Sequence, residues 1–92
     1  MTHNIKLREE FCDAVYEGRK TFEIRNNDRG YQVGDYIKFN PIGLDKFGFL
    51  KPIEHPVLDK KYVITYILNG WGLEKDYVVF SIKECEECTS TK

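Results

Sequence analysis

The chain lacks most of the features that would place it quickly. It has no apolar run near the roughly 18 residues that span a bilayer. Its polar opening, Met1-Thr2-His3-Asn4, lacks the pattern of a signal peptide. A cytoplasmic protein that meets no membrane is therefore expected. Excess charge is also missing, since 14 Lys and Arg stand against 15 Asp and Glu for a net charge of -1. That excludes the broad positive field with which proteins hold long duplexes, and leaves any nucleic-acid contact to a local patch. Cysteine is scarce and odd in number, at Cys12, Cys85 and Cys88, which is not a disulfide framework. Cys85 and Cys88 have the spacing of a zinc-ligand pair, but only Cys12, His3 and His55 remain to complete a tetrahedral set, so no metal and no cofactor is expected.

What is present suits a small folded unit. A chain of 92 residues supports one core, expected over residues 1–84, with 85–92 a flexible polar tail. Six Tyr, six Phe and one Trp supply enough aromatic bulk to fill it.

The apolar period then divides the chain. His3 to Leu7 alternates as a strand, and from Arg8 to Glu17 the apolar Phe11, Ala14 and Val15 recur at helical spacing. Gly18 suits the left-handed position just past that helix. From Thr21 the period is two again, which predicts Phe22 and Ile24 on the core face and Thr21, Glu23 and Arg25 on the other. Asn26 to Gly30 reads as a loop, Val33-Gly34-Asp35 as a tight turn, and Tyr36 to Asn40 as a strand ended by Pro41. All three prolines fall in residues 41–60, a long excursion with one short edge strand around Leu50 to Val57. Lys61 to Leu68 and Tyr77 to Lys83 are the last strands, separated by the turn Asn69-Gly70-Trp71-Gly72, where Trp71 is expected to cap the core. Five or six short strands with one early helix predict a mainly-β α+β fold, a small partly closed β-barrel with helical cover; an α+β sandwich is the alternative.

The densest chemistry lies in Gly18-Arg19-Lys20-Thr21-Phe22-Glu23-Ile24-Arg25, followed by Asn26, Asn27, Asp28 and Arg29. Together with Val33-Gly34-Asp35 this stretch resembles the G-x-K-x-x-E-x-R signature and following G-D turn of the ASCH domain, a member of the PUA-like superfamily. Ile64 to Leu68, the turn with Gly70, Gly72 and Leu73, and Tyr77 to Phe80 resemble a subgroup of small bacterial and phage ASCH-related domains of unknown function. The resemblance covers residues 3 to 83 and implies a PUA-like barrel with a cleft beside the first helix and the signature strand. ASCH domains are proposed to bind RNA there, whereas a similar sister subgroup works as amidohydrolases on acylated cytidine nucleosides.

A binding site for RNA or a nucleotide-like ligand would use Lys20, Arg25 and Arg29 on phosphate, Glu23 on a base amino group, and Thr21 in the lining. Tyr66, Trp71 or Tyr77 would stack bases, with Tyr66 and Tyr77 as the cleft walls. The plainer alternative makes Glu23 and Arg25 a surface ion pair worth roughly 0–1 kcal/mol, with Tyr66 and Tyr77 as cross-strand packing partners. The amidohydrolase alternative matches Lys20 to the sister group's lysine. It finds Glu23 where that group has its catalytic threonine, with Thr21 at a different position, and only Glu74 as the later acid. A protein-interaction module using the same cleft is the third possibility.

Overall fold

The computed structural model describes residues 1–85. Strand β1 (Thr2–Arg8) runs directly into helix α1 (Glu9–Tyr16), followed by β2 (Phe22–Asn26), β3 (Tyr36–Leu44), β4 (Leu50–Pro52), a 3-10 turn (Pro56–Asp59), β5 (Tyr62–Asn69) and β6 (Tyr77–Glu84). The strands form one sheet in the order β1-β3-β5-β6-β2, with β4 paired to β3. Over the described residues the fold is thus mainly β with one helix, as expected. The expected barrel does not close by hydrogen bonding, because β1 and β2 are the two ends of the ladder and do not pair with each other.

Helix α1 ends as its sequence requires. Gly18 takes φ +82°, its N–H donates to the Val15 carbonyl, and the Arg19 N–H reaches back to Ala14. This pair of bonds is the Schellman arrangement, which glycine permits because it has no Cβ. The buried face of α1 is rotated from the expected one, however. Cys12 and Val15 are buried, whereas Phe11 is displaced to the rim.

The larger correction concerns β2. Its antiparallel register sets Glu23 opposite Phe80 and Arg25 opposite Val78, and Val78, Phe80 and Ile82 are the core face of β6. Directly opposed residues point to the same side of a sheet, so Glu23 and Arg25 face inward and Phe22 and Ile24 face out. Phe22 and Ile24 therefore do not anchor the core, and Glu23, which the alternation placed on the outer face, is 3% exposed.

Two further expectations fail for local reasons. Pro41 does not end β3, which runs on to Leu44. The Pro41 carbonyl accepts from Ile53, so its nitrogen faces the same side, in the gap between the short pairings of β3 with β5 and with β4. No ladder bond is lost there, which is where a strand tolerates proline. The 3-10 turn fills this gap with the fully buried Val57 and supplies the Leu58 carbonyl to Lys38 Nζ at 3.0 Å. The expected edge strand is accordingly only Leu50–Pro52. Trp71 does not cap the core either; it is 88% exposed, at φ +54°.

Candidate functional site

The seam between the unpaired edges of β1 and β2 is a cleft of about 480 Å³, lined by Lys6, Leu7 and Arg8 of β1, Phe11 of α1, Lys20, and Phe22 to Arg25 of β2. That volume lies in the range of small-molecule sites. The helix end delivers the key cation, since the Lys20 N–H donates to Ala14 as the chain leaves α1.

Glu23 forms the floor. Lys20 Nζ donates to its Oε2 at 2.5 Å, and Arg25 donates to its Oε1 through Nε at 3.1 Å and Nη2 at 2.9 Å. A buried carboxylate is tolerable only when paired in this way, because desolvating an isolated charge costs far more than the fold can offset. Arg25 Nη2 also donates to the Lys6 carbonyl at 2.6 Å, so one side chain spans the seam that the backbone leaves open. Lys20 Nζ donates in addition to the Phe22 carbonyl at 2.8 Å and sits 5.1 Å from the Phe11 ring and 5.0 Å from the Phe22 ring, between two aromatic walls.

Donors and acceptors are left over. A carboxylate has about four acceptor positions. Lys20 and the two Arg25 bonds occupy all but one, on Oε2. The third Lys20 proton and the Arg25 Nη1 protons have no protein partner among the described residues. Four cations, Lys6, Arg8, Lys20 and Arg25, line the cleft against the single carboxylate of Glu23, which gives it the sign that suits an anion.

Tyr31 adds a neighbour that the motif did not indicate. Its ring lies 4.8 Å from those of His3 and Phe80, and the Asn27 side chain accepts from its N–H at 2.8 Å. Burial pushes its phenol up, against the opposing pull of Arg25 and Arg29.

Of the residues singled out in the sequence, Lys20, Glu23 and Arg25 meet in the cleft. Thr21 lines a separate depression with Tyr16, Tyr62 and Glu84. Arg29 is exposed on the loop after β2 and lines none of these cavities. Glu74 and Tyr77 line a polar basin of about 620 Å³ with Asn27, Asp28 and Asp76. Tyr66 is carried outward by a β-bulge: the register skips Thr65, whose hydroxyl lies 2.6 Å from that of Ser81. The extra residue reverses the alternation, so Ile64 faces in and Tyr66 is 65% exposed on the outer face. The aromatic walls of the cleft are Phe11 and Phe22. Both stood in view in the sequence, but helical spacing and strand alternation assigned them to the core.

Among the described residues no cluster of three or more His, Cys, Asp or Glu side chains is placed to hold a metal ion, and Cys88 lies outside them. His3 and His55 are each engaged by an aspartate, Asp35 and Asp13 respectively, at 2.8 Å. No described helix is long and apolar enough to cross a membrane.

The fold and its site define a mainly-β α+β protein with an open seam and a cation-clamped carboxylate within it. Residues 2–82 match the family described as a domain of unknown function, DUF3850, and the chain belongs to that family. It is also similar to an uncharacterized 12.9 kDa protein in the GpA 3′ region of Escherichia phage P2, 43% identical over 35 residues. That similarity covers 38% of this chain and 32% of the phage protein, so the match spans about a third of the relative's length.

Proposed function

We propose that this protein binds RNA or a nucleotide-like ligand in the β1–β2 cleft, as an ASCH-type member of the PUA-like superfamily. The observation that carries the reading is the Lys20-Glu23-Arg25 cluster at the floor of a cleft with a net excess of cations and two aromatic walls. A base stacks on the Phe11 wall, beside the Lys20 ammonium that occupies the space between the Phe11 and Phe22 rings, and presents an amino group to Glu23 Oε2, while Lys6, Arg8 and the free protons of Lys20 and Arg25 hold phosphate. The resemblance of Gly18 to Arg25 to the ASCH signature supports the same reading.

The amidohydrolase alternative is less well supported. No hydroxyl, thiol or imidazole lines the cleft among the described residues, and Thr21 and Glu74 open onto other depressions. Only Lys20 and Glu23 are in place for that chemistry.

The test is calorimetry against nucleosides, nucleotides and short RNAs, with Phe11→Ala and with Lys20→Ala plus Arg25→Ala. A ligand at 100 times its Kd should stabilise the wild type by about 2.7 kcal/mol. Phe11 is part-exposed, so its truncation should weaken binding on the order of tenfold with the fold intact. The reading is wrong if no member of the panel binds, or if binding is indifferent to both variants.

A further inference from the structure

No described residue packs over the outer face of the β2-β6-β5 part of the sheet, and its composition is unusual for this chain. The two registers align Phe22, Ser81 and Tyr66 in one row across the three strands, and Ile24, Val79 and Leu68 in the next. Tyr77, paired with Asn26, lies on the same face one row further along, and Lys83, paired with Val63, lies on that face beyond Ser81 in the other direction. In a protein with 15 acidic residues, none of these positions carries a carboxylate. Phe22, Ile24 and Tyr66 are 44%, 52% and 65% exposed. The bulge at Thr65 is what brings Tyr66 to this face, and the Thr65 and Ser81 hydroxyls stand beside it.

Phe22 belongs to both surfaces, since its ring walls the cleft under Lys20 and also begins the aromatic row. Tyr66 follows two strands away, roughly 10 Å on. We infer that this face is a stacking platform that continues the cleft: a single-stranded RNA with one base on the Phe11 wall of the cleft runs past Phe22 and across β6 and stacks a following base on Tyr66. The inference rests on the cleft reading above. RNA is favoured over an apolar protein surface by the row's continuity with the cation-rich cleft, by the absence of carboxylates that would repel phosphate, and by the hydroxyls between the two rings. Aromatic rings spaced across neighbouring strands of an open sheet are a known way of holding successive unstacked bases.

The experiment compares a nucleoside monophosphate with an eight-nucleotide single-stranded RNA, by fluorescence anisotropy and competition, on wild type, Tyr66→Ala and Tyr66→Phe. Tyr66 is exposed and outside the cleft, and melting curves check that each variant folds. The wild type should bind the octamer on the order of tenfold more tightly than the monophosphate. Tyr66→Ala should lose that gain while leaving the monophosphate unchanged, and Tyr66→Phe should keep it. Equal octamer affinity in wild type and Tyr66→Ala overturns the platform. So does length-independent binding, or a concentration-dependent dimer in sedimentation that Tyr66→Ala abolishes with RNA affinity unaltered. If the monophosphate still binds in those cases, the cleft reading stands alone. If neither ligand binds the wild type, the cleft reading falls and the platform with it.

Discussion

Strand β2 feeds two openings of opposite character. Its residues Phe22 to Arg25 line the seam cleft, while Asn26 and the following Asn27 and Asp28 line the basin shared with residues 69–78. The basin is the larger, about 620 Å³ against 480 Å³, but its charged lining is Asp28, Glu74 and Asp76 against Lys75 alone. The cleft has four cations around one buried carboxylate. Size therefore does not decide which opening suits an anionic ligand. Charge sign and a polar group kept desolvated do, because each strengthens a contact that water would otherwise screen.

The strongest way to break this comparison is to remove the clamped carboxylate. Glu23→Ala leaves Lys20 and Arg25, whose side chains are only 17% and 26% exposed, without their partner. Removing one member of a buried pair costs about 3–5 kcal/mol, whereas Glu74→Ala in the open basin should stay within about 0.5 kcal/mol of wild type. Urea denaturation of the two variants measures the contrast. Equal losses would mean that the basin is as tightly built as the cleft.

Much of this arrangement is legible in the sequence. The helix stop at Gly18 follows from glycine's access to positive φ, and Lys20, Glu23 and Arg25 gather because they leave one helix end on one strand. The face of β2 is not legible, because alternation gives the period and not the phase. By hydrophobicity Phe22 and Ile24 should be inside; the register with β6 decides otherwise, and a purely local pattern carries no information about it. Tyr66 illustrates the same limit, since one inserted residue at Thr65 reverses everything after it. Pro41 is misleading because the rule against proline in strands holds only where the ladder needs its nitrogen.

A second carboxylate sharpens the contrast between a clamp that floors a cavity and one that only ties strands together. Asp35, just before β3, accepts from His3 Nε2 at 2.8 Å and from the Gln32 N–H at 3.1 Å, and it lines none of the cavities described above. The hydrogen bond from His3 holds its carboxyl below the ordinary value of 3.8. A depressed folded pKa means that its contribution is complete above pH 3.8 and is lost as pH falls through the lower folded value. Asp35→Asn should cost about 1–3 kcal/mol at neutral pH, and the gap to wild type should narrow below pH 3.8 without any effect on ligand binding at pH 7. Denaturation midpoints across pH 2 to 7 provide the measurement. A gap that stays constant throughout would show that geometry and not charge gives Asp35 its value.

The smallest expected effect falls in the basin. Asp76 sits at φ +70°, a conformation that costs side chains with a Cβ, although aspartate tolerates it better than most. Asp76→Gly relieves that cost but gives the unfolded chain more freedom, so the two effects offset and a gain between about 0 and 1 kcal/mol remains. Because the Asp76 carbonyl accepts from the Asn27 N–H at 2.8 Å, the turn is held by backbone and should survive the change. If the basin is an ordinary polar surface, the substitution leaves cleft binding untouched and removes one repulsive charge from the end of β2. A clear fall in stability, or a change in nucleotide affinity beyond about twofold, would mean that the left-handed aspartate is held there for a purpose, and the division of labour between the two openings would fail.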